Sequence, residues 1–312
     1  MKISIFKYLI SEKPDRRNKV RPVSECEVDG NEVKSTTATS AKGFQDRIFL
    51  LFISCLFFLF SPFLCQAEPT YVSLSPVPTE IIYALGAQDK LLGVSTTCNY
   101  PEEVKDKPKI GDTYFVNMEL LLKLQPDYLF AMNSAKALLG ELKLTKTRPV
   151  YFEFSSVNEI YQGIREIAQL IEKQDEGEVL IQDIKTKIVQ NKTKNPKKIL
   201  YIVQTEPIIT VGNKSFINDV IKQSGHISVT SGLNYYYPII NADFAMKTEP
   251  DVIIIAYPDK VDFIKSLFPD TTIYYLRKEQ QDIINRSGPR VYEAVKLFAD
   301  LDFSTEYEKS PW

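Results

Sequence analysis

The side chains that most often perform catalysis or hold transition metals are scarce in this sequence. Its single histidine, His226, follows Gly225 at a predicted helix end, where a charged or capping role is expected. Of the four cysteines only Cys98 lies outside residues 1–67, and one histidine with one cysteine cannot build a closed zinc site. The same scarcity argues against a Ser-His or Cys-His nucleophile. Glycine-rich phosphate loops and a Gly-x-Ser-x-Gly elbow are absent, so we expect no enzyme, no cofactor and no metal site.

Two segments of the chain, 117–131 and 241–256, repeat one pattern. Each begins with an asparagine, has an acid two residues later, and continues through a short amphipathic helix and a Pro-Asp turn into a buried strand. The matched acids are Glu119 and Asp243. A repeat this far apart is too long for a solenoid and indicates two similar α/β lobes. Helix–turn–strand units resemble one another in many α/β proteins, but the matched asparagine and acid favour a duplication.

The elements around these segments alternate between strand and helix periods. Between the two β-rich halves, Ser156 and Glu159 form a capping box, and isoleucines then recur at helical spacing to about Asn191. We predict that this helical stretch joins the lobes, with a division into two helices at Gly177 as an alternative. The predicted strands are 71–74, 91–94, 128–131, 150–152, 199–203, 252–256 and 272–275, and the other helices are 76–85, 118–124, 216–221, 261–267 and one capped by Ser287 with Pro289 in its first turn.

The amino-terminal part of the chain is typical of an exported protein. Residues 48–65 are an apolar run, and small residues at Cys65 and Ala67 predict signal-peptide cleavage after Ala67. The run is also just long enough for an uncleaved membrane anchor. Residues 1–47 are polar and without periodicity, which predicts disorder or a misassigned start.

These observations predict a definite organisation of the chain. The formal net charge is −2 and no basic stripe occurs, so nucleic acid is not an expected partner. Along the chain we predict an extension at 1–47, a signal segment at 48–67, an N-terminal lobe at 68–154, an interlobe helix at 155–193, a C-terminal lobe at 194–303 and a tail at 304–312.

Several segments, in order along the chain, resemble the family of periplasmic binding proteins that bind cobalamin, siderophores and haem. Together they cover nearly all of residues 70–302, and the similarity is greatest to the members that bind cobalamin. The resembling segments are 71–86, 92–95, 99–101, 110–112, 117–119, 125–127, 249–251 and 286–290.

The resemblance implies an α/β fold with two Rossmann-like lobes, a long interlobe helix and a ligand cleft between the lobes. It also implies a monomer that delivers a bulky small molecule to the membrane permease of an ABC importer, from the periplasm or anchored at the inner membrane. Glu119 and Asp243 would meet arginines of the permease, as exposed acids that steer docking. Ligand contacts carry over to Tyr114, Phe115, Tyr237, Asp282 and Arg286.

Some positions depart from the family and keep other ligands open. Thr97, Thr113 and Met132 stand where cobalamin-binding members have aromatic side chains. Haem would need an axial ligand, for which His226 or a tyrosine of the run 235–237 could serve. That run cannot all face inward, so one or two of its rings should line a surface or cleft. An anionic iron–siderophore would need cleft arginines, and the candidates are Arg286 and Arg290. A membrane-anchored module without a transport role is a further alternative for the function. For Asp282 and Arg286, the alternative to ligand binding is a local ion pair at the entry of the last helix.

Overall fold

The computed structural model describes residues 68–112, 114–140 and 146–301, which all belong to one structural unit, Gln66–Trp312. The predicted extension and signal segment (1–67) and the predicted tail (304–312) lie outside the described residues, as does Thr113. Among the described helices, none has the length and apolar character needed to cross a bilayer.

The N-terminal lobe is built on a five-stranded parallel sheet in the order β3-β2-β1-β4-β5. Its strands are β1 (Tyr71–Ser73), β2 (Leu91–Ser95), β3 (Lys109–Gly111), β4 (Tyr128–Met132) and β5 (Arg148–Phe152), and its helices are α1 (Pro76–Ala84), α2 (Met118–Leu124) and α3 (Lys136–Gly140).

The C-terminal lobe is built on a mixed sheet in the order β11-β10-β6-β7-β9, with β8 also paired to β6 and β7 running antiparallel. Its strands are β6 (Lys198–Gln204), β7 (Ile208–Thr210), β8 (Ile227–Ser228), β9 (Ile239–Ile240), β10 (Val252–Ile255) and β11 (Thr272–Tyr275). Its helices are α6 (Phe216–Gln223), α7 (Ala242–Lys247), α8 (Val261–Leu267), α9 (Lys278–Ile284) and α10 (Val291–Asp300). The predicted fold class, two α/β lobes, is confirmed.

The segment between the lobes forms two helices, α4 (Val157–Leu170) and α5 (Gln174–Gln190), which pack against each other. The break lies at residues 171–173, where Glu172 adopts a left-handed conformation (φ 59°), and not at Gly177. Gly177 instead sits in the first turn of α5, where a Cβ atom would come within 2.7 Å of the Ala168 Cβ atom. A glycine is therefore used there for close helix packing and not as a helix breaker.

One continuous hydrophobic core links the lobes. Strand residues alternate between the two faces of each sheet, and one face of each sheet packs into the core that contains the connecting helices. Tyr71 and Phe130 face the same core as α4, and Tyr201 and Ile254 of the second sheet face that core as well. Helix α4 contacts α1 of one lobe and α6 of the other. The outer faces of the two sheets pack into separate, smaller clusters.

Sequence periodicity located most long elements and missed the short ones. Helices α2 and α8 have the predicted bounds, whereas β3, β7, β8, β9, α3 and α9 were not predicted. The last helix begins at Val291 after Arg290, so the predicted cap at Ser287 is wrong. The Ser156 hydroxyl accepts a hydrogen bond from Glu159 N, as predicted, but the Glu159 carboxylate accepts from Ser155 N and does not close the box on Ser156.

Candidate ligand cleft

Side chains of the C-terminal lobe reach the N-terminal lobe in the loops that follow two of its strands. Arg286 contacts Asn99, which follows β2, and Tyr236 contacts Glu153, which follows β5. Strands β2 and β5 lie on opposite sides of β1 in the sheet. The two contacts therefore bracket the carboxyl ends of the central strands, and we call the space between these loops the interlobe cleft. Clefts at the carboxyl ends of parallel strands are the usual ligand sites of α/β proteins.

The contact at β5 is a hydrogen-bonded group of four side chains, in which Ser155 Oγ donates to Glu153 Oε1 at 3.4 Å. The Tyr236 hydroxyl donates to Glu153 Oε1 at 2.9 Å, and Asn133 Nδ2 donates to Glu153 Oε2 at 3.0 Å. These bonds hold the pKa of the Glu153 carboxyl below its ordinary value, and the bond from Tyr236 has the largest effect. The same bond raises the pKa of the Tyr236 phenol. Both lobes thus share one exposed carboxylate.

The contact at β2 is a cross-lobe ion cluster of Glu80, Arg286, Arg290 and Glu293. Glu80 lies on α1, and its side chain is only 3% exposed. Arg286 Nη1 donates to Glu80 Oε1 at 2.7 Å, and Arg290 Nε donates to Glu80 Oε2 at 3.0 Å. Arg290 Nη1 lies 3.4 Å from Glu293 Oε2. One buried carboxylate of the first lobe therefore binds two guanidinium groups of the second.

Aromatic packing and charge reinforce this cluster. The Arg290 guanidinium lies 3.7 Å from the centre of the Tyr100 ring, close enough for a cation–π contact. Burial acts to lower the pKa of Arg290, but the hydrogen bond to Glu80 and the charges of Glu80 and Glu293 outweigh it, so the pKa is raised. Arg290 therefore stays protonated in its partly buried position.

Two of the predicted ligand residues stand on a tight turn after β3. Asp112 Oδ1 accepts hydrogen bonds from Tyr114 N at 2.8 Å and Phe115 N at 2.9 Å. Gly111 has φ +120°, and a Cβ atom there would lie 1.9 Å from Phe115 O, so only glycine fits. The Tyr114 and Phe115 side chains are 86% and 79% exposed. The turn thus presents two aromatic rings to solvent at the carboxyl end of the first sheet.

The tyrosine run supplies exposed rings from the second lobe. Tyr235, Tyr236 and Tyr237 are all exposed, which exceeds the one or two that the sequence predicted. Their backbone is fixed because Gly212 N donates to Tyr236 O at 3.0 Å and Lys214 N donates to Tyr235 O. Tyr237 is 53% exposed and is not a core residue.

The predicted pair Asp282 and Arg286 is not brought together. Asp282 lies on α9 and is exposed, and its side chain forms no ion pair within the part of the chain that the structure describes. Arg286 pairs with Glu80 instead, so a local ion pair at the helix entry is wrong. A ligand role for Asp282 and Arg286 stays a prediction.

His226 is a structural side chain, which corrects two expectations. It is 5% exposed; Nδ1 accepts from Lys197 N at 3.1 Å, and Nε2 lies 3.0 Å from Phe298 O. Both ring nitrogens are therefore engaged, so His226 is not an axial ligand for haem. Burial lowers its pKa, against the bond to Phe298, so the ring is neutral and not the charged cap that was expected.

The matched helices α2 and α7 are alike in local detail. Asn117 Oδ1 accepts from Leu120 N at 3.0 Å, and Asn241 Oδ1 accepts from Phe244 N at 2.8 Å. Both asparagines are therefore N-caps. The repeated acids, Glu119 and Asp243, follow in the first turns and are exposed.

The similarity continues past the helices into the turns. Gln125 (φ 45°) and Glu249 (φ 44°) are both left-handed residues directly before a proline. After each proline an aspartate caps the start of the central strand of its sheet. Asp127 Oδ2 accepts from Thr70 N at 2.8 Å, and Asp251 Oδ2 accepts from Lys198 N at 2.7 Å. The repeat is thus one structural unit present in both lobes.

Sequence reasoning missed Glu80, Glu153, Tyr236 and Asn99 as residues that join the lobes. A signal existed for Glu80, because it is a charged residue among the buried positions of an amphipathic helix. A cavity of about 640 Å³ adjoins Glu80 and Arg290 and extends to α5, but none of the five predicted ligand residues lines it. It is separate from the aromatic rings that follow β3 and precede β9.

Comparison with known proteins identifies the family. A family described as periplasmic binding protein matches residues 72–268. The chain belongs to the periplasmic binding protein family. A vitamin B12-binding protein of Vibrio vulnificus (strain YJ016) is 30% identical over 82% of this chain and 98% of its own length. An uncharacterised ABC transporter substrate-binding lipoprotein, YvrC of Bacillus subtilis (strain 168), is 28% identical over 76% of this chain and 81% of its own length.

A solved structure of the family has the same fold. The crystal structure of a possible iron-binding (periplasmic solute-binding) protein from Staphylococcus epidermidis ATCC 12228 is 25% identical, with a TM-score of 0.65, over 75% of this chain and 98% of that chain. The fold of this chain, two lobes joined by helices, is therefore similar to that of the solved protein.

Proposed function

We propose that this protein is the substrate-binding component of an ABC importer, without catalytic activity, and that it captures cobalamin or a related corrinoid. The observation that carries the proposal is a set of exposed aromatic rings on loops of both lobes: Tyr114 and Phe115 follow β3, and Tyr237 adjoins Tyr236, which bonds to Glu153 of the other lobe. Flat apolar ligands such as a corrin ring are held by aromatic faces with few polar groups. The vitamin B12-binding relative supports the same ligand.

The charges of the cleft favour a corrinoid over an iron–siderophore. Arg286 and Arg290, the arginines that an anionic siderophore would need, are both bound to Glu80. Cobalamin has amide side chains around its ring, and these are bound by hydrogen-bond donors and acceptors and do not need unpaired cationic side chains. Haem stays an alternative through the exposed tyrosines 235–237, since His226 is engaged elsewhere.

We further propose that the protein is exported and that it docks on a membrane permease. We expect residues 1–67 to direct export and to be cleaved after Ala67, which leaves the receptor in the periplasm, with anchoring at the inner membrane as the alternative. The permease would meet Glu119 of one lobe and Asp243 of the other. If the protein were instead an anchored module without a transport role, deletion of its gene would not change corrinoid uptake.

Calorimetric titration with cyanocobalamin, together with the absorbance spectrum of the purified protein, tests the ligand. We expect one-to-one binding, weakened about tenfold (~1.4 kcal/mol) by Tyr237→Ala with little change in thermal stability, because Tyr237 is not a core residue. Phe263→Ala on α8 is the matched control, as an exposed aromatic residue outside the cleft loops. An iron–porphyrin absorption band without cyanocobalamin binding would replace the corrinoid proposal by the haem alternative.

A further inference from the structure

The two arginines of the cross-lobe ion cluster, Arg286 and Arg290, both use their η nitrogens for hydrogen bonds to acceptors of the protein. Arg286 uses Nη1 for Glu80 and Nη2 for Asn99, at 2.7 and 2.6 Å. Arg290 uses Nε and Nη2 for Glu80 and Nη1 for Glu293, and its flat face lies against Tyr100. A guanidinium group binds carboxylates through these same paired donors. An anionic ligand group would therefore compete with Glu80 and Glu293 for the Arg290 guanidinium, and with Glu80 and Asn99 for the Nη1–Nη2 edge of Arg286.

The cross-lobe ion cluster is also balanced in charge, with two arginines and two glutamates. Glu80 is the key member because both of its oxygens are used and it is almost fully buried. A buried carboxylate is stable only when it is paired in this way. Without it, the second lobe would present two guanidinium groups beside Asn99, with only Glu293 left to balance their charge.

We infer that Glu80 is a specificity-determining residue that keeps Arg286 and Arg290 from binding ligand carboxylates, so that the cleft selects ligands with amide edges over their carboxylate counterparts. The inference rests on the proposed function in one respect, that the ligand occupies this cleft. Carboxylate and primary amide groups have nearly the same shape. Discrimination between them must therefore come from charge and hydrogen-bond direction, which Glu80 sets here.

The first test compares two corrinoids that differ in these groups, dicyanocobinamide with its amides and dicyanocobyrinic acid with carboxylates. We expect the wild type to bind the amide form at least about tenfold more tightly. In Glu80→Gln, a substitution of nearly equal shape, we expect this ratio to fall by about tenfold or more, through tighter binding of the acid. Glu293→Gln is the matched control. It removes the same charge from the same cluster, but Glu293 contacts only one of the two arginines, Arg290 at 3.4 Å, besides the Tyr292 hydroxyl, and the substitution should change the ratio less than about threefold.

The second test needs no corrinoid and separates the two proposals. At constant ionic strength, inorganic phosphate should raise the melting temperature of Glu80→Gln by a few degrees and leave the wild type and Glu293→Gln nearly unchanged. If the wild type binds no corrinoid, the proposed function fails while the phosphate test still decides the role of Glu80. If Glu80→Gln does not fold, Glu80→Asp, which keeps the charge but cannot span both arginines, should show the same shifts at smaller size. Unchanged ratios and no phosphate effect in the folded variant would overturn the inference.

Discussion

At the scale of single residues, His226 illustrates how burial decides the role of a side chain. Its neighbours are Lys197, just before β6, and Phe298, on the last helix, both distant in sequence. Gly225 next to it has the positive φ of a helix end, which is why the sequence suggested a capping role. The sequence could not predict which strand and helix would cover the ring, and so it could not predict its loss of charge.

We predict that His226 makes folding stability depend on pH between about 5.5 and 7.5. Its pKa is lowered in the folded protein, so the unfolded chain binds more protons once the pH falls below the ordinary value. The stability is complete above about pH 7 and should fall by up to about 1 kcal/mol by pH 5.5. Urea unfolding measures this change in the wild type and in His226→Gln.

The variant separates the histidine from other titrating groups. His226→Gln should be less stable at pH 7.5 by about 1–2 kcal/mol, since it loses well-placed hydrogen bonds. Its stability should nevertheless change little from pH 7.5 to 5.5, because the chain contains no other histidine. An equal pH slope in both proteins would contradict the assignment.

At the scale of elements, the paired helices α2 and α7 are the part of the molecule that the sequence predicted best. The asparagine cap, the acid and the Pro-Asp turn are all local features, so they can be read without the fold. Strands β8 and β9 have two residues each and carry no periodic pattern, and they depend on pairing with β6 and β7. Local signals thus predicted the repeated unit but not the edges of the second sheet.

The exposed acids of these two helices give a prediction for transport. Reversing both charges, Glu119→Lys with Asp243→Lys, should abolish uptake in cells and change ligand affinity less than about twofold, because both side chains are exposed on short helices. The loss of favourable helix-dipole interactions should cost only about 0.3–1 kcal/mol each.

A double reversal elsewhere provides the control. Asp175→Lys with Asp262→Lys makes the same charge change at exposed first-turn acids of α5 and α8. Uptake should persist in that protein. A parallel fall of uptake and ligand affinity in the Glu119 and Asp243 variant would assign these acids to the ligand site or to the fold.

At the scale of the whole molecule, the two lobes share one core through α4 and α5. The sequence predicted a helical connection with a division at Gly177 as an alternative, whereas the structure places the break at residues 171–173 and packs Gly177 against Ala168. The cross-lobe contacts could not be predicted either, since Glu80 and Arg286 are 206 residues apart. Long-range pairs of this kind depend on how the finished lobes face each other.

The shared core predicts that the lobes unfold together. Gly177→Ala forces a Cβ atom into the α4–α5 contact and should lower stability by about 1–3 kcal/mol. Native-state hydrogen exchange should record the same loss for the slowest amides of β4 and β10, one in each lobe. Gly232→Ala, where an added Cβ meets nothing within 4 Å, should be close to neutral. A loss confined to one lobe would mean that the lobes are separate cooperative units.

The placement of the repeated helices has a mechanical consequence. Helix α2 belongs to one lobe and α7 to the other, while Glu80 and Arg286 hold the lobes together beside the cleft. If a permease bound both helices, as proposed, it would pull on the two lobes from opposite sides of the cleft. Moving the lobes apart would then require separating a buried ion cluster, and the free energy of that separation would set the minimum force needed to open the cleft.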